Sequence, residues 1–347
     1  MVHVGDVETG PGGIATVIRN HLERSMSGIA VSAIASADPS KRGGFDRLQV
    51  FRRARRDAMA LMEAQSDLVL HVHVSQRLSL LREGYFCWLA RRMRVPCIVT
   101  IHGSRTSVMS GVSRQMMIAL LRMPTVVHGF DDTYRRRFRV SVSNWRTLPN
   151  DLRVAQPRHA RGNVAVFAYV GEVGLRKGVD RVLDAWRQVE RGCRNGARLI
   201  IIGPLAKDFS LPSTEELTDL GVSHLGELSH REVLDTLTSV DVLLQPPRGE
   251  AFPMAVCEAL AAGCAVIGTE VGGMGALLKN AAQLTTTGDP QDLSTKIEWA
   301  ILNRSRIEEL GGRGFVYAKE ILDTEVVSAQ WRSIYTEALA SMRGVRE

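Results

Sequence analysis

The chain has 347 residues, too many for one ordinary core, so two domains are the simplest division. Apolar residues make up 45% and charged residues 23%, ordinary globular values, and no apolar run approaches the roughly 20 residues that span a bilayer. A formal net charge of +7 favours phosphate-bearing partners, while five cysteines without CxxC spacing fit a reducing compartment and do not fit a zinc site.

The N-terminal "MVHVGDVETG" has no basic region followed by an apolar stretch, so no secretory signal is expected and the cytoplasm is the expected compartment. Only "VHVGD" precedes the first glycine loop, an unusually short strand that leaves open a start further upstream. In "ETGPGGIATV" (8–17), Gly12 and Gly13 open an amphipathic helix over 13–24. Glycines there let backbone approach a ligand, and free N–H groups at a helix start favour an anion; a turn used only for packing is an equal reading. Arginines cluster at 52–56, 90–94 and 134–139. Solvated helix faces explain them as well as a phosphate-rich partner does. The stretch 51–62 has a basic face and an apolar face of Ala54, Ala58, Leu61 and Met62, a pattern suited to lying on an anionic membrane. Aromatics are 5% and do not interleave with the arginines, so no nucleic-acid partner is expected.

Short apolar runs at 68–74, 97–102 and 125–129 read as strands buried on both faces. "IHGSR" (101–105) puts His102 at a strand end, where it can hydrogen-bond a substrate hydroxyl or a charged intermediate. A turn histidine satisfied by backbone is the plainer alternative. The polar segment 150–163, with Pro157, reads as a linker. Further strands are expected at 164–171, 198–203, 241–246 and 264–269, with a helix over 179–190 and a long amphipathic helix over 326–342. Strand and helix alternate throughout, which predicts an α/β chain of two Rossmann-like, doubly wound domains facing across a cleft, with ligands beyond the carboxyl ends of the strands. The expected domains are 1–152 and 153–325, with 326–347 returning as a helix to the first.

Two loops of the second half carry the chemistry. "YVGEVGLRKGVDRVLDAW" (169–186) is a strand, a loop with Arg176, Lys177 and Gly178, and a helix; lysine there suits a phosphate. "RGEAFPMAVCEALAAG" (248–263) holds Glu250 in a loop, Pro253 at a helix start and Glu258 inside the helix among Val256, Cys257, Ala259 and Leu260. A carboxylate among apolar neighbours needs partners, and a vicinal diol supplies two hydrogen bonds.

These segments resemble the retaining glycosyltransferases of family 4, of GT-B architecture, with their E-x7-E motif. The likeness runs through 170–186, 224–274 and 285–301, and more loosely through "GPGGIATVI", "IHGS" and "LPND" in the first half. It implies hexosyl transfer with retention, from a nucleotide-diphosphate sugar bound by the second domain to a glycan or lipid-linked acceptor held by the first; no acidic cluster such as DxD is apparent at a strand end, so no metal is expected. The product would be a surface polysaccharide or glycolipid made at the inner face of the membrane. By the same resemblance Glu258 holds ribose, Lys177 the diphosphate and Glu250 the donor sugar. Ala251, Phe252 and Pro253 line the pocket, Gly12 and Gly13 approach the phosphates, and Gly272 and Gly273 shape the neighbouring loop. Glu250, His102 and Lys177 are the catalytic candidates, with no nucleophile assigned. Three positions depart from the pattern: Glu172 stands where an arginine is usual, Ala251 replaces a glycine, and Ala276 replaces an acidic residue. Arg176 is expected to supply the second positive charge. The departures leave open an inactive nucleotide-binding protein, and less so a nucleotide-sugar epimerase.

Overall fold

The computed structural model describes residues 1–6, 18, 21–22, 28–38, 43–75, 78–102, 109–130, 132–154, 164–194, 196–207 and 209–343. It divides into two compact units, Met1–Leu148 with Val327–Glu347, and Pro149–Val326.

The first unit holds β1 (Val2–Asp6), β2 (Ser32–Ala37), α1 (Gly44–Ala64), β3 (Leu70–Val74), α2 (Leu78–Arg92), β4 (Cys97–Ile101), α3 (Gly111–Leu120), β5 (Val126–Gly129), α4 (Asp132–Phe138) and β6 (Trp145–Thr147). Its strands are all parallel, in the order β2-β1-β3-β4-β5-β6. Residues that alternate along a strand enter different layers. Leu70, Val72, Val74, Cys97, Val99 and Ile101 pack against α1, α2 and α3. Val69, Ile98 and Val126 pack on the opposite face against Val327, Trp331 and Tyr335 of α12 (Thr324–Arg343).

The second unit holds β7 (Val166–Val170), α5 (Val179–Gln188), β8 (Arg198–Ile202), α6 (Thr214–Asp219), β9 (Val222–His224), α7 (His230–Leu237), β10 (Val242–Gln245), α8 (Met254–Ala261), β11 (Ala265–Thr269), α9 (Gly273–Asn280), β12 (Leu284–Thr286), α10 (Pro290–Leu302) and α11 (Arg304–Tyr317). Its six parallel strands run β12-β11-β10-β7-β8-β9, the Rossmann order read from the other edge. Both faces are apolar. Phe167, Tyr169, Val242, Leu244, Ala265 and Ile267 face α5 and α10. Ala168, Val170, Leu243 and Val266 face α7, α8 and α9. At the base of this unit Leu152 receives the Thr324 N–H and gives its own N–H to Leu322, each at 3.0 Å, so the entering and leaving chain segments run side by side.

The apolar face expected to meet a membrane is already in use. Ala54, Ala58 and Met62 are buried in the first core, and Leu61 packs partly against it. An amphipathic helix over a sheet shows the same pattern as one on a lipid surface, and the sheet takes the apolar side. Arg52, Arg53, Arg55 and Arg56 remain exposed on the other side. Four short strands escape the sequence pattern: β2 is built of small residues, and β6, β9 and β12 have three residues each. The expected helix over 13–24 lies mostly outside the described residues, though Ile18 and His21 within it are buried.

Candidate functional site

The chain order of the second sheet reverses between β7 and β10, and open α/β sheets bind ligands beyond the strand ends at such a point. The loops that leave β7 and β10 there are stitched together. Gly178 has a φ of 82°, and any side chain on it would strike the Pro246 carbonyl, so glycine lets the end of the first loop lie on the second. The Arg248 backbone N–H donates to the Arg176 carbonyl at 3.0 Å. Its guanidinium reaches the Leu175 carbonyl and forks onto Asp180 at 2.8 and 2.6 Å.

That seam brings two of the expected residues into contact. Lys177 Nζ donates to Glu250 Oε2, with the side chains 20% and 10% exposed, and Glu250 Oε1 accepts the Ala251 N–H at 3.1 Å. An ammonium and a carboxylate are thus held at the mouth of the crevice, each still in reach of solvent. Arg176 pairs with Glu172 at 3.0 Å, both half-exposed. The departure from the family pattern is therefore neutralised within its own loop. The Glu172 carbonyl in turn accepts the Tyr169 hydroxyl at 2.8 Å.

A third loop closes the site from β11. Thr269 donates its hydroxyl to the Pro247 carbonyl at 2.8 Å. Gly272 has a φ of 53°, and a side chain there would collide with the Glu250 carbonyl; Gly273 begins α9, buried. Ala251 is buried, Phe252 packs partly against the apolar cluster beneath, and Pro253 caps the N-terminus of α8.

Glu258 stands on α8 at 8% exposure between fully buried neighbours. Its partner is His230, whose Nε2 lies 3.0 Å from Glu258 Oε1. The hydrogen bond to Glu258 raises the His230 imidazole above its usual value, against the effect of burial. A capping box of Ser229 and Glu232 places His230 in the first turn of α7. That box, "SHRE", is the signal in the sequence that could have pointed to His230. Gln245 is a second residue that the motifs do not reveal. It ends β10 at 1% exposure, and its Oε1 has no hydrogen-bond partner among the described residues. Its one signal is polarity inside an apolar strand.

In the first unit His102 follows β4. It is buried, its backbone N–H bonds the Val74 carbonyl at 2.7 Å, and its Nε2 lies 2.9 Å from His73 Nδ1. Burial, with the fields of His128 and His21, lowers its pKa to about 3. A neutral imidazole donates one hydrogen bond and accepts another. Gly12 and Gly13 lie outside the described residues.

Comparison with known proteins gives the class. Over 97% of this chain and 99% of its own, the crystal structure of Anabaena Alr3699/HepE in complex with UDP superposes with a TM-score of 0.75 at 14% identity. The apo form of the lipopolysaccharide outer core galactosyltransferase WaaB superposes over 97% of this chain and 99% of its own, with a TM-score of 0.68 at 17% identity. At such identities the likeness shows the fold, which is GT-B.

Residues 154–314 match the family "Glycosyl transferases group 1". An MMP α-(1→4)-mannosyltransferase of Mycolicibacterium hassiacum is 24% identical over 58% of this chain and 51% of its own. The chain spans about half the length of the curated relatives it matches. No helix among the described residues is long and apolar enough to cross a membrane.

Proposed function

We propose that the protein is a glycosyltransferase that moves a hexosyl group from a nucleotide-diphosphate sugar to a glycan or lipid-linked acceptor, with retention and with no metal at the diphosphate. The observation that carries this reading is the Lys177–Glu250 pair at the switch point between β7 and β10. On donor binding Lys177 exchanges its carboxylate partner for diphosphate oxygens. The N–H groups at the start of α5 add to the positive field, as helix N-termini do for phosphate. Glu250, released, turns to the donor sugar, whose anomeric carbon becomes cation-like as the nucleotide leaves.

Glu258 receives two ribose hydroxyls, and His230 holds its second face, so the carboxylate is aimed before the donor arrives. His102 serves a sugar hydroxyl as a neutral partner. The mannosyltransferase relative, the neighbour named for the lipopolysaccharide outer core and the UDP complex support this class of substrates. The exposed arginines of α1, with Phe45 and Leu48 exposed at its start, support a peripheral, electrostatic attachment to an anionic cytoplasmic leaflet. Flotation with anionic but not neutral vesicles is the expected outcome.

The test is incubation with a panel of nucleotide sugars and candidate acceptors. Acceptor-dependent release of nucleoside diphosphate, with the anomeric configuration kept by NMR, is expected. Nucleotide binding without turnover on any acceptor would replace this reading by that of an inactive nucleotide-binding protein.

A further inference from the structure

Six buried histidines, of nine in the chain, lie in the first unit: His3, His21, His71, His73, His102 and His128. Two hydrogen-bonded chains connect them, and only one has a fixed direction. His128 Nε2 lies 3.0 Å from the Leu148 carbonyl, so it must carry the proton, and neutral Nδ1 must accept from the Thr100 hydroxyl at 3.0 Å. Thr100 Oγ1 then accepts from His71 Nε2 at 2.7 Å, and His71 Nδ1 accepts from the Tyr335 hydroxyl at 2.8 Å.

The second chain runs His21–His3–His73–His102, with nitrogen separations of 3.3, 2.8 and 2.9 Å. One proton sits between His3 Nδ1 and His73 Nε2, and imidazoles alone fix no direction for it. One ring nitrogen from each of His3, His71 and His73 lies within 4.8 Å of the others. His71 Nε2 is held by Thr100 of β4, which leaves Nδ1, bonded to the Tyr335 hydroxyl of the covering helix, as its exchangeable nitrogen. The remaining nitrogen of each ring is bonded outward: His3 to His21, His73 to His102, and His71 to Thr100. Inward nitrogens grouped together and outward nitrogens anchored are what metal-binding histidines require.

We infer that His3, His71 and His73 bind a divalent transition metal that favours imidazole, zinc foremost, in the interior of the first unit. The cysteine spacing that speaks against a zinc site has no bearing on this set. The ion takes the place of the proton shared by His3 and His73, which moves to the outward nitrogen of the ring that carried it; each of the three imidazoles then holds one proton, on its outward nitrogen, and none is released. Tyr335 gives up its bond to His71 and becomes an oxygen donor beside the ion. With the metal on His73 Nε2, the Nδ1 proton must point at His102 Nε2, which leaves His102 with its own proton on Nδ1. The ion therefore sets which hydrogen-bonding face His102 presents.

The experiment uses the full chain without an affinity tag, stripped by chelator and titrated with cobalt(II) and then zinc(II). Metal content and the ring-nitrogen NMR spectrum of histidine-labelled protein are read, so the result is independent of transferase activity. A single ion per chain is expected, with the ring nitrogens of three buried histidines shifted. Thr100→Val removes the anchor of His71 and should weaken binding about tenfold to a hundredfold. Should that variant fail to fold, the ring spectrum of the unaltered protein decides. No bound ion at micromolar metal, or an ion that leaves the buried rings unshifted, overturns the proposal in favour of a hydrogen-bonded network alone.

Discussion

In the second unit the middle strands are apolar on both faces except at Gln245, and Lys177 and Glu250 stand in the loops beyond them. In the first unit one face is equally apolar, but the other carries His3, His71, His73, Thr100 and His128 in the strands themselves. Position decides what such groups can do. Lys177 and Glu250 sit where solvent still reaches them, so each can trade its partner for a ligand. The strand histidines lie under Trp331, whose ring is 5.0 Å from His71 and 4.8 Å from His128, and they satisfy one another. Polar groups in loops are available to a substrate, whereas polar groups in strands are committed to neighbours and rigidify the sheet under its covering helix.

The contrast breaks first at Lys177. Lys177→Ala removes a positive charge aimed at the leaving group, and turnover of nucleotide sugar should fall by about 10²–10³-fold, the usual loss for one such donor. Steady-state release of nucleoside diphosphate measures it. Activity within tenfold of the parent would mean that the loop pair is structural after all.

The next effect belongs to the strands. Burial lowers the His128 pKa from 6.5 to about 4, and its ring faces Thr100, the Leu148 carbonyl, Phe130 and Trp331, with His71 and His102 in its field. Above its unfolded value the ring is neutral in both states and its contribution is complete. Below that value the unfolded chain takes up the proton first, so stability falls by about 1.4 kcal/mol per pH unit until the folded ring also titrates. The loss totals about 3 kcal/mol. His128→Gln keeps a donor and an acceptor but binds no proton, and should remove that slope. Urea unfolding of metal-free protein between about pH 7 and pH 5 tests it; parallel slopes for the two proteins would rule the histidine out.

A smaller effect is expected at the covering helix. Tyr335→Phe leaves His71 Nδ1 without its donor in a buried site and should cost about 1–2 kcal/mol of stability. Metal-free protein melted by heat gives the comparison. A neutral outcome would show that the helix is held by its apolar contacts alone.

The second unit was largely legible because its signals are local. A strand, a glycine-bounded loop and a helix follow one another within 169–186, and again within 241–263. Helix α8 needs Pro253 at its start and small residues along it, and both are visible. The first unit hid its main feature in plain alternation. "LHVHV" puts His71 and His73 on one face, yet the run scores as continuously apolar because histidine breaks it without charge. No sequence rule aligns that face with His3 on β1 and His128 on β5; the pairing His3↔His71 and Thr100↔His128 does so. The arginine helix misled for a related reason, since periodicity reports an apolar side without naming what covers it.

The smallest expected effect separates two meanings of a loop charge. Arg176 and Glu172 form an exposed i,i+4 pair of the kind worth a few tenths of a kcal/mol, so either side chain can leave the other cheaply. The Glu172 backbone is fixed by Tyr169, but its carboxylate is free to turn. If Arg176 turns to the diphosphate when the donor binds, Arg176→Ala should weaken donor affinity by about fivefold, one unit charge acting through a largely aqueous path of roughly 1 kcal/mol. Glu172→Gln removes the competing carboxylate and should tighten binding by a similar factor. Titration of the donor at low and high salt reads both, and the two shifts should shrink together as salt rises. Weaker binding in Glu172→Gln would reverse the assignment: the carboxylate would then be a ligand of the donor's hydroxyls, and Arg176 the residue that holds it in place.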